Sequence, residues 1–530
     1  MENMNISKDK FRFADPSRRT GDKKFDTKQT TYTKDVFHRF CKNKSSVIAA
    51  FIIVILVLFA IIVPMFCETN YSLSLTDTAY LKYAKLLPKC SAFEGTGFWD
   101  GTKTVSINEN EYNAIKAIEK ETGETIITQV IKDKYLSAGK SMYDVRIDTY
   151  LYSSATTANT MFFLDVSKEE FEAMQAWQSK EGNPQLIYPA VNKNLKGSDG
   201  KTLIAERFNE DPDIWYATDM SGNPKLVGGK LTPSYASTNQ SAFQGIRYSE
   251  QYYSYNSKRI DGDDGSLIYA LVSVSEGQTS YRVRVCSNTY FEYHFGHEAA
   301  FLFGTNEKGQ DILTRLAAGA RFSLVLAVCI SAVNLFIGAI YGAVEGFYGG
   351  AVDLVMERIS DVLGGMPTMV VMSLFQLHLA SKVGPVWSMA FAFILTGWLG
   401  MAARTRMQFY RFKHQEYVLS ARTLGASDSR LIFKHIFPNA MGTLITGSVL
   451  SIPGVIFSES SLTYLGIVNL ESSTETSVGT LLSNGNGLLA TYPHIILFPA
   501  IFISLLEISF NLFGNGLRDA FNPSLTGIED

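Results

Sequence analysis

Three carboxylates lie in or beside long apolar runs of this 530-residue chain, at Asp361, Glu459 and Glu507. An ionisable side chain in an apolar segment is costly to bury, so it normally faces other protein groups or a water-filled path. We therefore predict that these three residues line a polar path through a membrane. Pairing at helix ends or between helices is the alternative.

The sequence lacks the residue patterns of catalysis and nucleotide binding. The glycine-rich stretches at 95–104 and 228–229 do not fit the phosphate-binding patterns G-x-x-x-x-G-K-[ST] or G-x-G-x-x-G, and no serine stands in G-x-S-x-G. The cysteines have no C-x-x-C spacing, which argues against a zinc site, although Cys90 and Cys286 could pair. A formal net charge of −3 argues against nucleic-acid binding. We expect a non-catalytic protein without cofactor, metal or nucleic acid.

Six apolar runs are long enough to cross a bilayer, because about 20 residues at about 1.5 Å each span a hydrocarbon core of roughly 30 Å. They cover residues 47–66, 322–344, 362–379, 386–403, 440–465 and 492–513. Lys and Arg are frequent before the first run, which predicts a retained anchor with a cytoplasmic N-terminus. The loop at 404–439 is basic and the loop at 466–491 has no Lys or Arg, which agrees with this orientation. The loop around Asp353 and Glu357, also predicted inside, is not basic.

Small residues and prolines within these runs predict closely packed, bent helices. Glycines recur four residues apart at Gly338, Gly342 and Gly346, a spacing that allows two helices to approach closely. Three prolines interrupt backbone hydrogen bonding and are expected to bend their helices: Pro367, Pro453 and Pro499.

Residues 67–297, which we call the insert, have the composition of a water-soluble α+β domain. Two stretches within it, 105–127 and 163–187, form a weak repeat in which a strand, a capped helix, a glycine and a second strand follow one another. Asn108 and Ser167 would cap the two helices. A later pair of β-rich runs flanks the turn at 276–279 and predicts a hairpin.

A polar, basic stretch at 416–439 separates the fourth and fifth apolar runs. Residues 414–424 fit a short helix, and Gly425 suits the left-handed position that ends one. Ser427–Asp428 would cap a second short helix, with Pro438 near its end. We expect this element to lie against the membrane surface.

The same stretch resembles the EAA loop of ABC-importer permeases. The pattern is kept at 419–421, Gly425 and 435–438, with Leu419 in place of the usual Glu and Ser420 in place of the first Ala. In such permeases this loop forms a coupling helix that docks on the ATP-hydrolysing subunit. The resemblance implies ATPase contacts from Glu416, Ser420, Ala421, Leu424, Gly425, Ala426, Ser427, Asp428 and Pro438.

Residues 303–311, FGTNEKGQD, are similar to a signature that precedes the second membrane helix in C-type subunits of oligopeptide and dipeptide permeases. Residues 312–321 then predict an amphipathic helix at the outer interface. The resemblance covers 42–66 and 301–523. It implies an all-α polytopic membrane protein with six transmembrane helices and the type I ABC importer permease fold, with the α+β insert placed outside the cell between helices 1 and 2.

These expectations divide the chain into consecutive parts. They are a cytoplasmic basic tail (1–45), transmembrane helix 1 (46–66), the extracellular insert (67–297), an outer interfacial segment (298–321), a permease core (322–523) with its coupling loop (404–439), and a cytoplasmic C-terminal tail (524–530). The expected location is the bacterial cell membrane, with both termini in the cytoplasm.

The resemblance implies the permease subunit of an ATP-driven peptide importer. The implied partners are a second homologous permease, two ABC ATPases that bind the ATP, an extracellular lipid-anchored peptide-binding protein, and membrane lipids. A membrane-anchored extracellular binding or adhesion protein, an exporter or ion-driven transporter, and a permease for another small solute are the alternatives. The sequence leaves the cargo and the role of the insert open.

Overall fold

The computed structural model describes residues 32–66, 83–109, 123–152, 161–188, 226–227, 230–231, 260–261, 267–268, 271–275, 278–470 and 476–521, with five further positions between 110 and 122. The basic tail before residue 32, the C-terminal tail and the hairpin turn at 276–277 lie outside these residues. Cys90 is a free thiol, so the disulfide between Cys90 and Cys286 that the sequence allowed is not formed.

Helices make up most of the described chain, because its apolar runs satisfy their backbone hydrogen bonds internally. In chain order they are α1 (Tyr32–Lys42), α2 (Lys44–Phe66), α3 (Lys168–Gln178), α4 (Ser287–Phe295), α5 (Ile312–Tyr348), α6 (Gly350–Gly364), α7 (Thr368–His378), α8 (Ala380–Val383), α9 (Pro385–Gly397), α10 (Leu399–Phe412), α11 (Glu416–Thr423), α12 (Asp428–Tyr464), α13 (Val478–Gly485) and α14 (His494–Phe521). Within the described residues, five helices are long and apolar enough to cross a membrane: α2, α5, α9 joined to α10, α12 and α14.

The predicted run at 362–379 is not one continuous helix. α6 ends at Gly364, and α7 begins after Pro367, whose backbone is extended. Proline has no N–H and restricts the residue before it, so a helix commonly ends at this point. In contrast, Pro453 and Pro499 lie inside α12 and α14, which continue through them.

The first turns of α5 are buried in the bundle, which corrects the prediction of an interfacial helix at 312–321. Ile312, Leu316 and Ala320 are at most 2% exposed. Asp311 begins the helix, since its carboxylate accepts hydrogen bonds from the backbone N–H groups of Leu313 and Thr314 at 3.2 and 3.1 Å. The segment is therefore the start of the second long helix.

α5 and α10 approach each other closely along a row of glycines, as their spacing predicts. A Cβ built on Gly338 would lie 2.7 Å from Met401 Cβ, and one on Gly346 would lie 2.7 Å from Phe409 Cβ. One on Gly342 would collide with the backbone oxygen of Ala402. No side chain fits between the two helices at these three positions.

The strands belong to the insert and form antiparallel pairs. They are β1 (Thr102–Asn108), β2 (Ile127–Ser137), β3 (Lys140–Asp148), β4 (Met161–Ser167), β5 (Ile187–Tyr188), β6 (Leu226–Val227), β7 (Lys230–Leu231), β8 (Ile260–Asp261), β9 (Leu267–Ile268), β10 (Leu271–Ser275) and β11 (Gln278–Cys286). One sheet has the order β1-β3-β2, and another has the order β10-β11-β4 with β5 paired to β11. The antiparallel pairing of β10 with β11 confirms the predicted hairpin.

The predicted repeat is present in the structure, including a contact that its sequence did not suggest. β1 and β2 enclose helical residues around Tyr112, as β4 and β5 enclose α3. Ser167 accepts a hydrogen bond from Glu170 N–H at 3.1 Å, which confirms this cap. Glu119 accepts from the N–H groups of 126 and 127, and its counterpart Gln178 accepts from those of 186 and 187. In each repeat a side chain of the helix therefore fixes the start of the following strand by hydrogen bonds.

The chain leaves the bundle for the insert and returns to it at one place. Lys85 N–H donates to Asn306 O at 2.9 Å, Thr305 N–H donates to Leu86 O at 3.0 Å, and Lys89 N–H donates to Phe301 O at 2.9 Å. The two crossing segments are thus paired through their backbones. We call this end of the bundle the insert end. The opposite end holds α11 and the turn that follows it, residues 416–428, which we call the knob, and we call it the knob end.

Gly342→Leu is expected to lower the stability of the bundle, because the new side chain would have to separate α5 from α10. Forcing extra methylenes into a packed contact typically costs about 1–3 kcal/mol. The matched control is Gly400→Leu on α10, since a Cβ there meets no atom within 4 Å. Thermal unfolding of the detergent-purified full chain measures both. Equal melting temperatures for the two variants would contradict the close-packing interpretation.

Candidate functional site

The knob, residues 416–428, is a short helix closed by a glycine turn. Gly425 has a φ of +82°, in the left-handed region, as the sequence predicts. Its N–H donates to Arg422 O at 3.0 Å, and the Ala426 N–H donates to Ala421 O at 3.1 Å. These are the two hydrogen bonds of a Schellman motif, which satisfies the last carbonyls of α11. The turn therefore has a defined shape.

The predicted second short helix is instead the first part of α12. Residues 431–436 form a π-helical segment, and the helix continues through Pro438 towards Tyr464. Proline cannot donate a backbone hydrogen bond, and the wider π turn before it allows the helix to continue. The Ser427 side chain makes no capping hydrogen bond, so this part of the prediction is wrong, although its backbone is extended at the helix start.

An apolar contact fixes the knob to the bundle. Val418 and Leu431 are completely buried and pack in a cluster with Phe347 at the end of α5 and Phe409 on α10. Burying a side chain of this size contributes roughly 1.5–3 kcal/mol. The knob is consequently attached to two long helices as well as to the helix that follows it.

The opposite face of the knob is exposed. Leu424 is 88% exposed, the most exposed of the large apolar side chains in the part of the chain that the structure describes. The predicted contact residues that share this exposure are Glu416, Ser420, Gly425, Ser427, Asp428 and, further along, Pro438. Ala421 and Ala426 are half-buried beneath them. Leu424 is therefore free of its own bundle and available to contact another protein.

The sequence interpretation missed a cluster of charges next to the knob, which we call the Arg406 cluster. The Arg406 guanidinium donates to Asp353 Oδ2 at 2.8 Å and to Glu357 Oε1 at 2.8 Å, and its Nε lies 3.6 Å from Glu345 Oε1. Tyr410 O–H also donates to Asp353, at 2.8 Å. Charge-assisted hydrogen bonds of this kind are stronger than neutral ones. These hydrogen bonds join α10 to α6, and the ion pair with Glu345 joins α10 to α5.

Two further contacts beside the Arg406 cluster attach the end of α10 and the knob to the end of α5. Lys413 Nζ donates to Gly346 O at 2.9 Å, and burial lowers the pKa of this ammonium group. The Arg422 guanidinium of the knob lies 5.6 Å from the ring centre of Phe347, within range of a cation–π contact. A signal for the cluster was present in the sequence, because Asp353 and Glu357 are four residues apart and share one helical face in a loop that lacked the expected basic character.

The three candidate path carboxylates have different surroundings. Glu459 on α12 is 1% exposed and accepts hydrogen bonds from Ser323 O–H on α5 at 2.9 Å and from Thr463 O–H at 3.3 Å. Asp361 on α6 is exposed and pairs with Arg358 at 3.0 Å. Among the described residues, the carboxylate of Glu507 on α14 has no hydrogen-bond or ion-pair partner. The structure therefore does not join the three into one network.

Known families match both parts of the helical bundle. The N-terminal transmembrane domain of oligopeptide transport permease C matches residues 31–88, and the binding-protein-dependent transport system inner membrane component matches residues 334–527. These matches leave most of the insert outside them.

Curated relatives extend this similarity. The oligopeptide transport system permease protein OppC of Bacillus subtilis (strain 168) is 41% identical over 223 residues, which cover 42% of this chain and 72% of the relative. The dipeptide transport system permease protein DppC of the same organism is 33% identical over 321 residues, which cover 60% of this chain and 96% of the relative. A solved structure of the MetNI methionine ABC transporter, in inward-facing conformations, aligns with a TM-score of 0.33 and 12% identity over 39% of this chain and 96% of that one.

Arg406→Gln is expected to destabilise the knob end of the bundle, because it leaves Asp353 and Glu345 partly buried without their cation. Leaving buried polar groups unpaired costs about 1–3 kcal/mol, and the exposure of Glu357 places the expected loss at the lower end. The control is Arg358→Gln, whose pair with Asp361 is exposed and is expected to contribute less than about 1 kcal/mol. Thermal unfolding compares the two, and an equal loss in both would contradict a special role for Arg406.

Proposed function

The chain belongs to the family of oligopeptide and dipeptide transport permeases, and from this premise we propose that it forms half of a peptide path and couples that path to a cytoplasmic ATPase. It is a multi-pass transmembrane permease subunit. In the proposed assembly a second, homologous permease supplies the other half of the path. Two ABC ATPases bind the ATP on the cytoplasmic side, and a lipid-anchored peptide-binding protein delivers the peptide from outside.

The observation that carries the coupling proposal is the exposed Leu424 on a turn whose other face is fixed to the bundle. Val418 and Leu431 are buried against Phe347 and Phe409, so a displacement of the knob displaces α5 and α10 with it. Interfaces commonly depend on one or a few anchoring side chains surrounded by weaker contacts. We assign Leu424 this role against the ATPase.

α6 supports the pairing of this chain with a second permease. None of its described residues is buried, and apolar side chains such as Val355 and Val362, 60% and 72% exposed, line it. Such a helix is poorly covered by its own chain, since none of its residues is fully buried there. We place α6 and α7 at the interface between the two permeases.

The proposed orientation puts the knob end in the cytoplasm and the insert outside the cell. The cations of the loop at 404–439 and of the tail before α2 support it, because positively charged loops remain on the cytoplasmic side. Both termini are then cytoplasmic, and the membrane is the bacterial cell membrane.

Of the three carboxylates, we retain Asp361 and Glu507 as candidates for the path. Asp361 is exposed on α6, and Glu507 on α14 has no partner for its carboxylate among the described residues, so both charges could meet a cargo group. The hydrogen bonds from Ser323 and Thr463 to Glu459 support the alternative role of joining α5 to α12.

Leu424→Asp is expected to weaken ATPase binding by about 30-fold or more, since the loss of an anchoring side chain costs about 2 kcal/mol or more and 1.4 kcal/mol is tenfold. Uptake of a labelled tripeptide should fall in parallel. Leu424→Met, which keeps an apolar side chain of similar volume, is the matched control. Co-purification of the ATPase and uptake in cells are measured at equal amounts of the chain in the membrane. Wild-type ATPase recovery and uptake for Leu424→Asp would refute the proposal.

Glu507→Gln is expected to lower peptide uptake while leaving ATPase co-purification and the melting temperature unchanged, because it removes a charge that has no partner among the residues that the structure describes. Glu507→Asp, which keeps the charge, serves as the control. An unchanged uptake rate for Glu507→Gln would remove this residue from the path.

A further inference from the structure

A short loop at the base of the insert carries three clustered aromatic side chains. Residues 91–99 begin with a single 3-10 turn and contain Phe93, Phe98 and Trp99. The Phe98 and Trp99 rings lie 5.4 Å apart and edge to face, and the Phe93 and Trp99 rings are stacked at 6.5 Å. Phe93 is 43% exposed and Phe98 63% exposed. The loop therefore exposes two aromatic side chains that no group in the described part of the chain fully covers.

Trp99 connects this loop to a membrane helix. Its ring lies 5.6 Å from that of Phe498 on α14, and Phe498 also stacks on Phe303 at 4.0 Å. The indole N–H donates to Leu302 O. Trp99 has a φ of +56°, a conformation that a non-glycine residue rarely adopts. The backbone thus holds an unfavourable conformation where it directs the indole towards α14.

The depth of Phe498 follows from the pairing of α2 with α14. Ser46 Oγ contacts Leu512 O at 3.0 Å, whereas Phe59 contacts Phe502 at 6.0 Å, so the two helices run in opposite directions. Phe498 lies one turn, about 6 Å, further towards the insert end than Phe502. The equivalent level on α2 is near Val63, about three residues before this apolar helix ends. Phe498 and the Trp99 ring against it are therefore at the level of the last turn of the membrane span.

Several polar groups of the loop are hydrogen-bonded within the chain, which lowers the cost of a poorly hydrated position. The Thr96 O–H donates to Phe93 O at 2.7 Å, the Gly97 N–H donates to the Asp100 carboxylate at 2.7 Å, and the Cys90 N–H donates to Trp99 O at 2.8 Å. The Arg146 guanidinium on β3 donates to Gly97 O at 3.1 Å. The membrane interior excludes backbone groups that lack such partners.

Cations lie beside the loop at the level expected for lipid headgroups. Lys85 and Lys103 place their ammonium groups 5.7 and 4.7 Å from the ring centre of Tyr492, two residues before α14 begins. Aromatic residues with nearby Lys are typical of the boundary between hydrocarbon and headgroups.

We propose that Phe93 and Phe98 insert into the membrane leaflet at the insert end of the bundle, so that lipid is the partner of this face and the base of the insert rests on the bilayer. The proposal rests on the proposed function only for the identity of the leaflet, which is the outer one in the proposed orientation. The contact with lipid follows from Trp99 and α14 whichever side that is. A second permease or a binding protein covering the loop is the competing occupant.

The test introduces one nitroxide label at a time by Phe93→Cys, Phe98→Cys or Leu136→Cys, in the full chain with its native cysteines replaced by serine. The labelled chain is purified by its tag with the subunits that accompany it, in nanodiscs of phosphatidylethanolamine and phosphatidylglycerol. Collision rates with oxygen, which is concentrated in lipid, and with a water-soluble nickel chelate are then measured. Leu136 is the control because it is 79% exposed and lies far from the loop. It pairs with Ser141 on β3, and Ser141 is seven residues from Asp148, which lies at the base of the insert. At the rise of a β-strand this separation is about 23 Å.

Labels at 93 and 98 are expected to collide more often with oxygen than with the nickel chelate, and the label at 136 is expected to show the reverse. Nickel collisions at 93 and 98 equal to those at 136 would place the loop in water and overturn the proposal. Low collision rates with both reagents would show that a protein covers the loop and would overturn it equally. Labelling of Leu136→Cys in intact cells by an impermeant thiol reagent reads the orientation separately, so the two proposals can fail independently.

Discussion

The close approach of α5 and α10 is the contact on which the knob end of the bundle depends. Gly338, Gly342 and Gly346 allow the two backbones to meet without side chains between them. This approach brings the Arg406 guanidinium to the acidic groups at the end of α5 and on α6, and Lys413 to Gly346 O. A larger side chain in the glycine row would separate these charges and strain both the hydrogen bonds and the apolar contact beneath the knob.

Because these contacts are shared, the knob, α5, α6 and α10 form one continuously packed unit. Force applied at Leu424 would pass through Val418 to Phe409 and through the Arg406 cluster to α6, which we place at the interface between the two permeases. An ATPase can shift such a unit between conformations only through contacts that differ between them. A membrane tether would require one anchoring helix and no rigid knob, so this arrangement is poorly explained by the adhesion alternative.

Local patterns predicted local features well and tertiary features poorly. Gly425 and the β10–β11 hairpin follow from residue types over a few positions, and five of the six predicted membrane runs follow from composition, the broken run at 362–379 being the exception. The continuation of α12 through Pro438 was missed, because a proline commonly marks a helix boundary and the π-helical segment before this one could not be read from the sequence. The Arg406 cluster was missed because its members come from three helices, and a single sequence does not show which helices are neighbours.

The backbone pairing at 85–89 and 301–306 explains how a large domain can be accommodated in this permease without disturbing its bundle. The two crossing segments are hydrogen-bonded to each other through their backbones at 85–89 and 301–306. The ends of the insert are therefore held close together, as the ends of a short loop between two helices would be. The entropic cost of closing a loop rises only slowly with its length, and the paired base has already fixed its ends. Such a junction would still allow the insert to tilt. A second attachment through Trp99 and the lipid surface would remove that freedom and hold the domain at a fixed position on the membrane.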